Sequence, residues 1–246
     1  MANRLSRFEY FDTPAGRTDA TWQLHAFKRF AATPSDSALQ LGVPSIAALS
    51  QTKAALRILA SDRAPLVRDN DVSMILCEET ALPLESESID LVLWPHGLDR
   101  HANSAPVLSE ISRVLSPEGL LVVTFFNSRG PWALRRKLAF VPPLLPEDIC
   151  PCSVSSAKAQ LLRAGLATEG GAYGVYGIDP KEATGEKSAL EKAGDRWWPV
   201  FGNLIVLTAR KHVSGMHLVG KAQFSSPNLG RFGAAAAGNG TQKESL

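Results

Sequence analysis

Residues 94–104, WPHGLDRHANS, hold the densest set of groups able to move protons. His96 and His101 can each serve as a general base. With Asp99 they form H-x-x-D-x-H, a spacing that can also present two imidazoles and a carboxylate to a metal. No further ligand stands at a recognisable spacing, so a hydrogen-bonded loop histidine is the plainer reading and no metal is expected. Cys150-Pro-Cys152 is too tight for an ordinary disulfide loop, and with Cys77 the cysteine count is odd. Free thiols in a reducing compartment follow; a redox or metal pair would need a second Cys or His pair. Arg129, Arg135, Arg136 and Lys137 could hold an anion, although a solvated basic helix face accounts for the last three. Trp197 and Trp198 read as core or lid aromatics.

The elements that must position these groups alternate between apolar strands and amphipathic helices. Strands are predicted at Ser37–Val43, Leu56–Asp62, Val72–Cys77, Ser88–Trp94 and Leu120–Phe126, with a last one at Gly202–His212. They are continuous apolar runs, the pattern of strands covered on both faces in parallel α/β sheets. Helices are predicted at Gly16–Ala32, with Thr18 or Asp19 as N-cap, over SIAALSQTKAAL from Ser45, and at Ala105–Ser116, stopped by Pro117 and Gly119. Another covers PWALRRKLAF, and a further one ends at Gly165 before a strand. Residues 1–36 form an N-terminal helical segment and 37–213 the main domain. From 214 to 246 the Gly-, Ala- and Ser-rich text cannot bury much surface and is expected to be a disordered tail.

The chain has 246 residues with 45% hydrophobic content and a formal net charge of +2. It can bury a core without staples, and its charge gives no support to nucleic-acid binding. The N-terminus lacks an apolar signal region, and no run reaches the ~18 apolar residues of a membrane span. A cytoplasmic protein without a membrane partner is expected.

CEETALPLESESIDLVLW and VLSEISRVLSPEGLLVVTFFN resemble the second half of class I S-adenosylmethionine-dependent methyltransferases of the type 11 group. The residues that carry the likeness are Glu78, Leu82-Pro83, Ile89–Val92, Glu110-Ile111, Arg113-Val114-Leu115 and Pro117-Glu118-Gly119. FFNSRGPWALRR and RWWPVFGNLIVLTARK are similar to a narrower proteobacterial subgroup. The resemblance covers about Leu39 to Lys211. It implies an α/β Rossmann-like three-layer sandwich, mostly parallel, with a late antiparallel strand. It also implies S-adenosylmethionine at the carboxyl ends of the strands and methylation of an unidentified small-molecule acceptor. By the same likeness Gln40 stands at the place of an acid, Gly42 begins the cofactor loop, and Asp62 meets the ribose. Glu78 lies near the adenine, and His96 shapes the pocket. No catalytic residue is implied.

The departure from the family lies in LQLGVPSI. Gln40 has no charge for the cofactor's ammonium, Pro44 has no N–H and a fixed φ, and Ile46 is β-branched where a glycine is usual. Two function classes therefore stand side by side. One is a methyltransferase; the other is a methyltransferase-like binding or scaffold protein that has lost its glycine-rich loop.

Overall fold

The computed structural model describes residues 10–32, 34–63, 69–100, 103–136, 144–146, 148–176 and 201–212. The chain divides into two units, 1–213 and 214–246, and the second lies outside the described residues, as do His101, Lys137, Trp197 and Trp198.

Seven strands form one sheet: β1 (Ser37–Leu41), β2 (Leu56–Ser61), β3 (Ser73–Leu76), β4 (Ile89–Trp94), β5 (Leu115–Phe126), β6 (Leu166–Gly174) and β7 (Leu204–Lys211). Their order is β3-β2-β1-β4-β5-β7-β6. β3, β2, β1, β4 and β5 run parallel, and β7 is antiparallel to both β5 and β6. The order reverses between β1 and β4, which opens a crevice at the carboxyl ends of those strands.

Successive strand residues face opposite sides. Leu39, Leu41 and Val92 pack with Val107, Leu108 and Ile111 of helix α2 (Ala105–Val114) and Leu161 of α4 (Val154–Arg163). On the other side, Ala38, Leu59, Leu93 and Val122 meet Ala26 and Phe27 of α1 (Pro14–Phe30), together with Val43, Ile46 and Leu49. A short α3 (Pro131–Arg135) buries Trp132 against Phe126 and Leu204. The result is the expected three-layer α/β sandwich with a late antiparallel strand.

Four local expectations are corrected. Helix α1 begins at Pro14 and not Gly16; its N-cap is Thr13, whose Oγ1 accepts from Gly16 N at 3.1 Å. Proline suits the first helical position because its missing N–H has no helical partner there. Helix α2 ends at Val114, and β5 runs straight through Ser116-Pro117-Glu118-Gly119. Pro117 pushes its predecessor out of helical φ/ψ, and the extra residues appear as a register shift opposite β4 between Ile89 and Leu91. β3 is an exposed edge and not a covered strand; Leu76 is 65% exposed.

The fourth correction is the helix expected from Ser45, which is only a 3₁₀ turn at Ala48–Gln51. Gln40 is the cause. Its Nε2 donates to the carbonyls of Val43 (2.9 Å) and Ile46 (2.6 Å), and its Oε1 accepts from Leu49 N (3.2 Å). The Ile46 carbonyl and Leu49 amide would otherwise enter the helical ladder, so the side chain diverts them from it. The short crossover leaves a cavity of about 530 Å³ beside β2 and β3, lined in part by Pro44, Leu49, Leu59, Met74 and Leu76.

The most legible motif proves to be a brace. Arg113 donates to the carbonyls of Leu82 and Leu84 while pairing with Glu110, and Glu110 accepts from Leu82 N. Asp90 accepts from the amides of Asp36 and Ser37 and from the hydroxyl of Ser116, which ties three strand beginnings together. These hydrogen bonds hold its pKa low against the opposing effect of burial.

Candidate functional site

The crevice between β1 and β4 is bounded by the loops after β1, β2, β3 and β4. Gly42 follows β1 at φ +80°, which glycine adopts freely, and its amide donates to Ala60 O at 3.0 Å. Asp62 and Glu78 come one and two residues after the paired ends of two neighbouring strands. Ser61 of β2 pairs with Leu76 of β3, and Cys77 N donates to Ser61 O at 3.1 Å. Both carboxylates are exposed. Glu78 accepts from the Thr80 hydroxyl. The structure therefore brings Asp62 and Glu78 to one edge.

Gln40 and His96 are turned away from solvent. Gln40 is buried and bonded to its own loop, as described above. His96 sits at φ +50°, a strained backbone for a non-glycine residue, and is 2% exposed. Its Nε2 meets Asp19 Oδ2 of α1 at 2.8 Å and its Nδ1 meets Asp99 Oδ2 at 3.2 Å. Burial alone would lower its pKa, but Asp19 and Asp99 outweigh burial and raise it from 6.5 to about 10. The two carboxylates thus favour the protonated form of His96. Its amide donates to Thr124 Oγ1 at 3.2 Å, Thr124 donates to Gln23, and Gln23 Nε2 donates to Asp19 Oδ1 at 2.6 Å. Asp99 also accepts from Phe126 N at 2.6 Å. This network pins α1, the loop after β4 and the end of β5 together.

Sequence reasoning took Asp19 for a cap and gave no role to Gln23, Thr124 or Arg100. The spacing of Asp19 and Gln23, four apart on one helix, was the available signal.

Glu79, next to Glu78, is the inward acid. It is buried, accepts from Trp94 Nε1 at 3.1 Å and pairs with Arg100, whose side chain is 5% exposed. Arg100 lies directly against Gly42: a Cβ there would overlap the guanidinium carbon and both terminal nitrogens. The space beside His96, Arg100, Val43, Phe11 and Phe126 is only about 10 Å³. That is about one water, against ~300 Å³ or more for a typical ligand pocket.

The CPC segment closes the same edge as a backbone strap. Cys150 N donates to Asp99 O at 2.7 Å and Cys152 N to Phe126 O at 2.9 Å. All three cysteines are free thiols. Burial raises the pKa values of Cys77 and Cys152, with Glu79 adding to the first, so neither is an activated thiolate.

Residues 37–123 match the family model described as a methyltransferase domain. Among solved structures, the chain is similar to an S-adenosylmethionine-dependent methyltransferase of Thermotoga maritima, possibly a histamine N-methyltransferase. The identity is 18% and the TM-score 0.60, over 83% of this chain and 94% of that one. It is also similar to a methyltransferase of Haloferax volcanii held in complex with the Trm112 activator, at 16% identity and a TM-score of 0.59, over 80% and 91%. A third likeness is to the geranyl diphosphate C-methyltransferase of Streptomyces coelicolor with S-adenosyl-L-homocysteine, at 14% identity and a TM-score of 0.54, over 78% of each. No curated protein sequence matches the chain. The chain thus has the fold of the class I methyltransferases, and its first five strands carry the methyltransferase-domain match.

The residues present fit S-adenosylmethionine at one end only. Asp62 and Glu78 present exposed carboxylates at the strand ends that could meet a nucleoside. The amino-acid end, between Gly42 and His96, is filled by Arg100 in this conformation.

Proposed function

We propose that the chain binds S-adenosylmethionine across the carboxyl ends of β1, β2, β3 and β4 and methylates a small-molecule acceptor in the cytoplasm. The observation that carries this reading is the pair of exposed carboxylates, Asp62 and Glu78, at the ends of two adjacent parallel strands. Asp62 accepts from the ribose hydroxyls and Glu78 from the adenine amino group. The bound donor supplies an activated methyl on a sulfonium. The chain's own part is alignment, which can carry much of the acceleration without a general base. His96 is no base in this account, since it is enclosed and bonded to Asp19 and Asp99; it holds the loop that shapes the pocket. Small-molecule acceptors are supported by two of the similar proteins, whose names refer to histamine and geranyl diphosphate.

Calorimetric titration with S-adenosylmethionine tests the assignment. Asp62→Ala should weaken binding by about tenfold or more, the range of a lost charged hydrogen bond. Unchanged affinity refutes the ribose role.

A binding or scaffold protein without catalysis is the second reading. The filled amino-acid end and the spent side chain of Gln40 favour it. A chain that takes up no donor under any condition is of this second kind.

A further inference from the structure

We infer that Glu79 is the acid of the donor site, replacing the one lost at Gln40, and that Arg100 is an internal cation occupying the donor's place. This rests on the donor-binding reading above. Three observations meet at one point. The Arg100 guanidinium fills the volume that Gly42 leaves open by lacking a Cβ. The same guanidinium pairs with Glu79. Glu79 is itself fixed to the sheet by Trp94 Nε1 at 3.1 Å. A carboxylate therefore stands within one guanidinium's breadth of the glycine that a donor's amino-acid end must approach.

The two partners differ in how they are held. Glu79 is anchored on β4 through a tryptophan that is fully buried. Arg100 reaches in on a long side chain from the loop after β4. A buried carboxylate stripped of its partner is costly, whereas one cation exchanged for another leaves it paired. The ligand class follows: a nucleoside that carries a cationic amino-acid group, which takes over Glu79 as Arg100 withdraws. Gln40 cannot serve, because both Nε2 hydrogens and its Oε1 are engaged with residues 43–49. The intramolecular cation competes with the ligand, and apparent affinity falls by the fraction of chains that are open.

Titration calorimetry of the full chain with S-adenosyl-L-homocysteine tests this on wild type, Arg100→Met, Arg100→Gln and the double variant Arg100→Met with Glu79→Gln. Circular-dichroism melts establish which are folded. Arg100→Gln retains a donor for Glu79 and keeps the test alive if the methionine variant does not fold; its own double variant with Glu79→Gln then replaces the first. Both single variants should bind at least about tenfold tighter than wild type, and adding Glu79→Gln should abolish the gain. Equal affinity in wild type and the single variants overturns the inference and leaves donor binding standing. A gain that survives Glu79→Gln does the same. No binding by any of the proteins overturns both.

Discussion

Gln40 does what a carboxylate could not. Its amide nitrogen donates to two carbonyls, Val43 and Ile46, while its oxygen accepts from Leu49. Restoring the family's acid by Gln40→Glu would aim a buried carboxylate at two carbonyl oxygens. That variant should lose at least about 2 kcal/mol in urea unfolding, since buried groups left unpaired cost ~1–3 kcal/mol and charged ones more, and it should gain no affinity for the donor. His96 carries a second prediction at this scale. Its pKa is about 10 in the fold against an ordinary 6.5. Charged His96 therefore stabilises the fold fully below about pH 6.5, and that contribution is lost as pH rises toward 10. Tyr10, Asp19, Asp99 and Arg100 are the other ionisable groups around it. His96→Gln leaves Asp19 and Asp99 without their cation and should cost ~3–5 kcal/mol at neutral pH. Urea midpoints measured from pH 6 to 10 should fall more steeply for wild type than for the variant; parallel curves would refute the ion-pair assignment.

At the scale of elements, the second half of the domain was legible because its motif residues brace the backbone. Glu110 and Arg113 link α2 to the 82–84 segment, and Asp90 gathers the starts of β1, β4 and β5. Arg113→Ala should cost about 1–3 kcal/mol in equilibrium unfolding and should leave donor affinity unchanged, which separates brace from site. The first crossover was not legible for a reason particular to this chain. SIAALSQTKAAL has good helical composition, but one buried side chain from the preceding strand takes up its backbone groups. The path of β5 was hidden by Pro117 and Gly119, which look like a helix stop yet sit within a strand that accommodates them by a bulge. Of the residues proposed for the site, Asp62 and Glu78 could be picked out as strand-end positions, which the structure gives them. Asp19 and Gln23 are neighbours on α1, but their meeting with His96 and Thr124 depends on tertiary packing of α1 against the loop after β4, and separations such as the 101 residues between Gln23 and Thr124 leave no local trace.

At the scale of the described domain, the chain is a methyltransferase-fold sheet with two exposed carboxylates, Asp62 and Glu78, at one edge and Arg100 packed against Gly42 beside it. Among its described residues no helix is long and apolar enough to cross a membrane. Sheet packing preserves the fold whether or not catalysis is retained, so legible strands argue for the fold more than for the reaction. Function turns on whether Arg100 gives way there to a ligand. Titration of the full chain with S-adenosylmethionine, followed by heat and by melting temperature, reads that directly. The account predicts single-site saturation and a melting temperature that climbs with ligand concentration. Absence of both heat and stabilisation up to millimolar ligand would contradict it.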